Sequence, residues 1–205
     1  VREIEYASDS LVNLKNQLKY SEHKNERKLL FDYPVVYIVN DENKNQFSVY
    51  VGETTDIIRR TSQHLIDDIK KDDRDDWRDF ATSSTTKMFV IGHNHFNKSL
   101  TLDIENRLML YLSSVENVKR VHNRKENPQN EYYTSDELDS IFLKIWYSLR
   151  KRNKYLFPAE SIVRNSAIFK ASPFHKLTEE QIEAKNSIIN KISASISKNE
   201  EGTLI

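Results

Sequence analysis

Apolar positions recur with a helical period along much of the chain and predict most of its helices. The first helix covers residues 8 to 31, where Ser8 or Asp9 can cap it and five leucines form one apolar stripe. The later helices are predicted at Thr54 or Thr55 to about Lys71, at Ser99 to about Ser114, at Thr134 to Arg152 and from Thr178 onward. A helical period therefore accounts for most of the sequence.

Two β-rich runs follow the first helix and predict a hairpin. They are Val35 to Asn40 and Phe47 to Gly52, joined by the polar stretch Asp41 to Gln46. Pairing Tyr37 opposite Tyr50 puts both tyrosines on one face, while four aliphatic residues make the other face an apolar patch suited to the core. We expect the tyrosines to project from the face that is not the main core, with Gly52 leaving room for an approaching group.

The order of the predicted elements indicates the fold class. A third strand, Lys87 to Ile91, follows the second helix, and all further elements are helical. We predict an α+β fold in which a small, mainly antiparallel three-stranded sheet is flanked by helices, with extra helices at both ends. The connecting segments are expected to be the charged loop Asp72 to Asp79, the irregular basic stretch Lys119 to Asn130, and a helical linker containing Pro158 and Pro173.

The composition excludes several classes of protein. The chain has 205 residues, no cysteine and only three glycines, of which the nearest two are Gly52 and Gly92. A glycine-rich phosphate loop needs glycines a few residues apart, and disulfide frameworks, zinc ribbons and thiol nucleophiles need cysteine. No apolar run approaches the ~18 residues that a membrane helix needs. We expect a soluble, cytoplasmic protein with no membrane partner.

Opposite charges balance over the whole chain but not along it. The chain has 31 basic and 31 acidic residues. Lys119 to Lys154 holds nine basic residues against five acidic ones, which predicts a patch for an anionic partner. Asp67 to Asp79 holds seven aspartates against four basic residues, so we expect this segment to face away from any phosphate chain.

Three ionisable side chains on predicted helices are candidates for chemistry. Arg60 and His64 lie four residues apart on one flank, which suits a phosphate group but is equally typical of a solvated surface. Glu105 lies on an apolar helix, where a carboxylate needs a cation, a metal or several donors. An ion pair and a metal site fit Glu105 equally well, and Mg²⁺ suits a single carboxylate because it keeps several waters.

In their order and spacing, these residues resemble the GIY-YIG nuclease family. The first triplet corresponds to Val35-Val36-Tyr37 and the second to Tyr50-Val51-Gly52, so Val35 stands where the family has glycine. The other matching positions are Arg60, His64, Glu105 and Asn123. The resemblance covers roughly residues 33 to 127. It implies a nucleic-acid partner, DNA in preference to RNA, and hydrolysis of phosphodiester bonds that depends on Mg²⁺ or Mn²⁺.

The resemblance also implies roles for the matching residues. Glu105 would hold the metal, Arg60 would stabilise charge in the transition state, and Asn123 would orient Glu105 or the phosphate. Tyr37 is one candidate for the base that activates water, with Tyr50 and His64 orienting it.

The identity of the base stays open, because the ordinary pKa of His64 suits neutral pH better than that of a phenol. Further phosphate contacts are expected from Arg59, Arg124 and Lys125. His93 and His95 are a weak candidate for a metal pair.

The C-terminal segment resembles a different kind of protein. Ser172-Pro173 and Leu177 to Gln181 are similar to the entry of helicase-like P-loop ATPases, and some bacterial proteins fuse such a domain to a GIY-YIG domain. We therefore divide the chain into an N-terminal helical extension, a nuclease-like domain, a helical connector and the start of a truncated ATPase domain. The boundaries are 1–32, 33–127, 128–175 and 176–205.

Two functions of other kinds stay open. One is a non-catalytic nucleic-acid-binding module on the same fold, although mere binding has no need for an acid at Glu105. The other is a protein-interaction module that uses the amphipathic helices at 8 to 31 and 178 to 197. A nuclease would cleave nucleic acid, whereas neither of these two modules would.

Overall fold

The fold is built on five strands, seen in a computed structural model that describes residues 1–19, 21–71, 74–122, 135–171, 183–184 and 187–192. The strands are β1 (Arg2–Glu5), β2 (Val35–Asn43), β3 (Gln46–Thr54), β4 (Lys87–Ile91) and β5 (Val118–Val121). The helices are α1 (Ser10–Gln17), α2 (Lys24–Phe31), α3 (Ile57–Ile66), α4 (Asp75–Thr82), α5 (Lys98–Ser113), α6 (Leu138–Arg152), α7 (Glu160–Asn165) and α8 (Ala167–Lys170). The α+β class is confirmed.

The sheet is larger than predicted. Its strand order is β1-β4-β2-β3-β5, and β5 runs parallel to β3 while the other neighbours are antiparallel. The prediction of three strands is therefore wrong, because the sheet has five, and one of its strand pairs is parallel. Both added strands are four-residue edge strands with two or more charged residues, so they lack the apolar run by which a strand is recognised.

The hairpin forms, but two residues out of the predicted register. Tyr37 lies opposite Gly52 rather than Tyr50, and the strands continue through most of the polar stretch to a turn at Lys44 and Asn45. Both turn residues have positive φ, 50° and 63°, as a tight two-residue hairpin turn requires. A shift of two residues leaves every side chain on its predicted face, because side chains alternate with a period of two.

Helices cover both faces of the sheet. The face with Val36, Ile38 and Val51 packs in one core with α5 and the C-terminal helices. The face with Tyr37 and Tyr50 packs in a second core with residues from α1 to α4. The tyrosines therefore project from the face opposite the first core, as predicted, but helices cover that face too, so Tyr37 is only 1% exposed and Tyr50 only 7%.

Several helix boundaries differ from the predicted ones. The N-terminal segment contains β1 and two helices with a 3₁₀ turn at Ser21–His23 between them, rather than one long helix. The helix α3 begins after Asp56, whose carboxylate accepts a hydrogen bond from the Arg59 backbone N–H, rather than at Thr54 or Thr55. The predicted helix over Ser99–Ser114 agrees with α5 within one residue.

The charged segment Asp72 to Asp79 is not a simple loop. Its second part belongs to α4, which buries Trp77 and Phe80 against the tyrosine face of the sheet. Two aromatic residues three positions apart among aspartates are enough to anchor one side of a short helix. Asp72 and Asp73 lie outside the described residues.

The C-terminal part of the fold lies against the α5 side. The predicted helix that ends at Arg150-Lys151-Arg152 is confirmed as α6, and Phe142 and Trp146 of α6 are buried in the first core. Thr134, its expected cap, and the ATPase-like motif Leu177 to Gln181 lie outside the described residues. In the parts of the chain that the structure describes, no helix is long and apolar enough to cross a membrane.

The hairpin turn offers a test of the observed register. Lysine is a poor residue at positive φ, whereas Asn-Gly is the preferred sequence of this turn. The double variant Lys44→Asn/Asn45→Gly should raise the free energy of unfolding by about 1 kcal/mol, measured by urea denaturation. Asn45→Ala should lower it, because alanine does not favour positive φ. A stabilising Asn45→Ala would contradict the observed turn.

Candidate active site

Two tyrosines of the hairpin and one histidine of α3 meet in the core on the tyrosine face. The hydroxyl oxygen of Tyr37 lies 2.8 Å from Nε2 of His64, and both residues are 1% exposed. The Tyr50 ring lies next to both, with its centroid 6.1 Å from that of Tyr37 and 5.6 Å from that of His64. The structure thus brings together three of the residues that the sequence singled out.

Gly52 makes room for the Tyr37 ring. A Cβ atom at position 52 would lie 2.5 Å from both the Cζ atom and the hydroxyl oxygen of Tyr37. Gly52 therefore does leave space, as expected, but the Tyr37 ring fills it rather than an approaching group. The space belongs to Tyr37, and it is this contact that seats the phenol beside His64.

Arg60 lies against the two tyrosine hydroxyls. Its guanidinium interacts with the phenol oxygens of Tyr37 and Tyr50, and one of its nitrogens donates to Oε1 of Gln63 at 2.9 Å. Arg60 is half-buried, so part of its positive charge stays within reach of a ligand. This position suits a guanidinium that binds a phosphate oxygen next to the tyrosines.

The burial of these groups determines their protonation. Burial raises the pKa of Tyr37 well above that of an ordinary phenol, and the nearby Arg60 opposes this change without cancelling it. Burial and the charge of Arg60 lower the pKa of His64 to about 4. At neutral pH the phenol of Tyr37 is therefore protonated and the imidazole of His64 is neutral.

Two neighbours of His64 were missed from the sequence. Oδ2 of Asp68 lies 2.7 Å from Nδ1 of His64, and the Trp77 indole stacks on the imidazole at 3.6 Å between centroids, with 15° between the planes. The spacing of four residues between His64 and Asp68 within a helical segment could have indicated the first contact. Nothing local in the sequence indicates the second.

The acidic segment therefore lies beside the site and not away from it. Asp68 is 2% exposed and contacts His64 directly. Asp76 pairs with Arg74, and its Oδ2 also lies 4.0 Å from Nδ1 of His122. The expectation drawn from the charge count is wrong because two of the aspartates serve as partners of buried histidines and basic residues.

Glu105 lies within electrostatic reach of both Arg60 and Tyr50. It is 8% exposed, so its carboxylate is largely shielded from water. Burial, together with the like charge of Glu53, raises the pKa of Glu105 to about 7, although Lys98 and Arg60 act in the opposite direction. Burial raises the pKa of Tyr50, and the charge of Glu105 acts in the same direction, which links the two residues electrostatically.

Glu53 is a second carboxylate that the sequence did not single out. It pairs with Lys98, and the Thr101 hydroxyl lies 3.4 Å from its Oε2 atom. Glu53 follows Gly52 on β3, so its side chain points to the opposite face from Tyr50 and towards α5. Because the charge of Glu53 disfavours ionisation of Glu105, a cation bound near Glu105 would relieve this repulsion.

The site fits a divalent ion that keeps most of its water. Among the described residues, no three His, Cys, Asp or Glu side chains are grouped to hold a metal. Glu105 offers carboxylate oxygens whose ionisation is disfavoured, a penalty that a divalent cation would remove. Mg²⁺ is commonly held by one or two carboxylates together with water and phosphate oxygens. A hydrated Mg²⁺ on Glu105 therefore fits, whereas the described part of the chain offers no site for a metal held by protein ligands alone.

Of the other residues that the sequence singled out, some are described by the structure and some are not. Asn123, Arg124 and Lys125 lie outside the described residues. Arg59 is exposed on α3, next to Arg60 in sequence. The rings of His93 and His95 lie 5.3 Å apart, and His95 pairs with Glu137.

Comparison with known proteins identifies the central part of the chain. Residues 33–109 match the family model of the GIY-YIG catalytic domain. This family consists of endonucleases, so this stretch is similar to a nuclease domain. The matched stretch contains Tyr37, Tyr50, Arg60, His64 and Glu105. No curated protein and no solved structure matches the chain.

The contact between Gly52 and Tyr37 can be tested by adding one methyl group. Gly52→Ala should push the Tyr37 ring away from His64 and lower the free energy of unfolding by about 1–3 kcal/mol, as overpacking of a core does. Urea denaturation measures this loss. In a Tyr37→Ala background the same substitution should cost much less, since the ring is gone. Equal costs in both backgrounds would contradict the contact.

The pKa of Glu105 makes the stability of the metal-free protein depend on pH. Because the folded pKa of about 7 exceeds the ordinary value of 4.5, the stabilising effect is complete below pH 4.5 and is lost as pH rises to 7. Glu105→Gln should therefore be more stable than the wild type at about pH 8, by up to about 3 kcal/mol, and gain much less at about pH 5. Urea denaturation in EDTA tests this.

The matched control is Glu116→Gln, at an exposed position before β5. It should follow the wild-type dependence of stability on pH. Identical pH dependences for wild type and Glu105→Gln would show that the carboxyl of Glu105 has an ordinary pKa.

Proposed function

We propose that this chain is a Mg²⁺-dependent endonuclease that hydrolyses phosphodiester bonds, with DNA favoured over RNA. The observation that carries the proposal is the meeting of Tyr37, Tyr50, Arg60, His64 and Glu105 in one place. These residues come from two strands and two helices that are far apart in sequence. A fold alone does not need a guanidinium, a neutral imidazole and a buried carboxylate around a pair of phenols.

In the proposed reaction, Tyr37 and His64 move the proton of the attacking water. The water oxygen forms a bond to phosphorus as the bond from phosphorus to the 3′ oxygen breaks. The water proton passes to the phenol oxygen of Tyr37 while the phenol proton passes to Nε2 of His64. This order of proton transfers suits the protonation states of Tyr37 and His64, because at neutral pH Tyr37 is a neutral phenol and His64 a neutral imidazole.

Arg60 and Glu105 supply the electrostatics of the reaction. Arg60 binds a non-bridging phosphate oxygen, where negative charge accumulates in the transition state. Glu105 would hold the Mg²⁺, and a bound Mg²⁺ would supply Lewis-acid stabilisation of the negative charge on the phosphate and the leaving group. Tyr50, which interacts with Arg60 and lies within electrostatic reach of Glu105, orients the phosphate or the water through its hydroxyl. Asn123 is assigned to the positioning of Glu105 or the phosphate.

Binding of the rest of the substrate is assigned to the basic residues Arg59, Arg124 and Lys125. Arg59 is exposed next to Arg60, and Arg124 and Lys125 follow β5, the strand beside β3. Cytoplasmic location and an ATPase domain after residue 205 belong to the same proposal, in which the chain is the nuclease part of a larger nuclease-ATPase protein. They rest on the absence of cysteine and on the motif at 177 to 181.

The proposal predicts cleavage that requires both the metal and the site. The wild-type chain should cut plasmid or single-stranded DNA in Mg²⁺ and not in EDTA, as gel electrophoresis of the products shows. Arg60→Ala and Glu105→Gln should each slow cleavage at least about 100-fold, because each removes charge stabilisation from the transition state. RNA tested in parallel should be cut more slowly than DNA.

Arg164→Ala and Glu116→Gln are the matched controls, since both side chains are exposed and distant from the tyrosines in sequence. Both should cut at the wild-type rate, and all variants should keep the wild-type circular dichroism spectrum. Binding of DNA without cleavage by the wild type would favour the non-catalytic binding module. Full activity of both site variants would show that the reaction occurs elsewhere.

A further inference from the structure

We propose that Asp68 is a positioning residue that holds His64 in the tautomer able to accept the Tyr37 proton. The inference rests on the proposed nuclease function and adds to it a residue that lies outside the recognised positions of the motif. It also decides between the two candidate bases: the phenol of Tyr37 meets the water, and the imidazole of His64 is where the proton ends.

The hydrogen bonds around His64 allow only one arrangement of its proton. An ionised carboxylate only accepts hydrogen bonds, so Nδ1 of His64, 2.7 Å from Oδ2 of Asp68, must carry the proton. Nε2 then presents a lone pair, and the Tyr37 hydroxyl, 2.8 Å away, must donate to it. Without an acceptor at Nδ1, the other tautomer would place N–H against the phenol oxygen and block the transfer.

Asp68 stays ionised although it is buried. Burial alone would raise its pKa, but hydrogen bonds from Lys71 and His64 hold the pKa below that of an ordinary aspartate. Nζ of Lys71 lies 2.6 Å from Oδ1 of Asp68, so each carboxylate oxygen has its own donor. A buried carboxylate with both oxygens occupied is a fixed acceptor.

The imidazole is also fixed in orientation. Its side chain is fully buried, and the Trp77 indole lies parallel to it at 3.6 Å between centroids. The charged and titratable groups that face His64 from the surrounding elements are Tyr37, Tyr50, Arg60, Asp68 and Arg74. Of these, only Asp68 both contacts Nδ1 and favours a proton there.

The test uses a substitution that reverses the donor and acceptor pattern at constant volume. In Asp68→Asn, Lys71 continues to donate to the carboxamide oxygen, so the amide N–H₂ faces Nδ1 of His64 and donates to it. His64 should change tautomer, with the proton on Nε2. A long-range ¹H–¹⁵N spectrum of the full chain at neutral pH, without metal or substrate, identifies which ring nitrogen is protonated.

Cleavage kinetics should follow the tautomer. Asp68→Asn should lower kcat at least about 100-fold with KM nearly unchanged, the size of effect that general acid–base groups have. In Asp68→Asn/Lys71→Met the amide is free to turn and present its oxygen to Nδ1, so part of the lost kcat and of the original tautomer should return. Asp67→Asn, at the neighbouring exposed aspartate, should behave as the wild type.

The outcomes separate this inference from the proposed function. An active wild type with an equally active Asp68→Asn variant would overturn the positioning role and leave the nuclease intact. An unchanged tautomer in Asp68→Asn would overturn it as well. A wild type that cleaves no nucleic acid would overturn the proposed function, and this inference with it. A loss of activity that the second substitution at Lys71 deepens would indicate that Asp68 only stabilises the fold.

Discussion

The hydrogen bond between the Tyr37 hydroxyl and Nε2 of His64 is the interaction on which the candidate site depends. It joins the central strand of the sheet to α3, and it exists only because the missing side chain at Gly52 admits the Tyr37 ring. Once the phenol is seated, Tyr50 and Arg60 have fixed places beside it. The same bond leaves a neutral imidazole as the acceptor of a phenol proton, which is the chemistry that the site offers.

Burial shifts the pKa values of His64 and Glu105 away from their ordinary values. Polar partners offset the free-energy cost of burying His64. His64 is kept neutral in the core and has a hydrogen-bond partner at each ring nitrogen. Glu105 is in the opposite situation, because burial and Glu53 disfavour its charge until a cation is near. A neutral imidazole and a carboxylate that is stabilised by a cation, both within reach of Tyr50, suit the proposed hydrolysis of a phosphodiester.

Much of this could be predicted from the sequence, because the central elements have strong local signals. The hairpin, β4, α5 and α6 follow from apolar periodicity and capping, and the faces of the tyrosines follow from alternation alone. The register could not be predicted, since it depends on a turn formed by Lys44 and Asn45, which are uncommon at positive φ. The edge strands β1 and β5 could not be predicted either, because they are strands through their pairing with β4 and β3 and not through their composition. Asp68 was missed because a count of charges does not show which aspartates are buried. Trp77 was missed because nothing local in the sequence indicates its contact with His64.

The central claim is that the phenol of Tyr37 passes a proton to His64 during cleavage, and Tyr37→Phe tests it most directly. This variant removes one oxygen atom and keeps the ring that fills the space over Gly52. Single-turnover cleavage of an end-labelled DNA duplex in Mg²⁺ should be slowed at least about 100-fold relative to the wild type, with duplex binding unchanged. Cleavage by Tyr37→Phe at the wild-type rate would contradict the account.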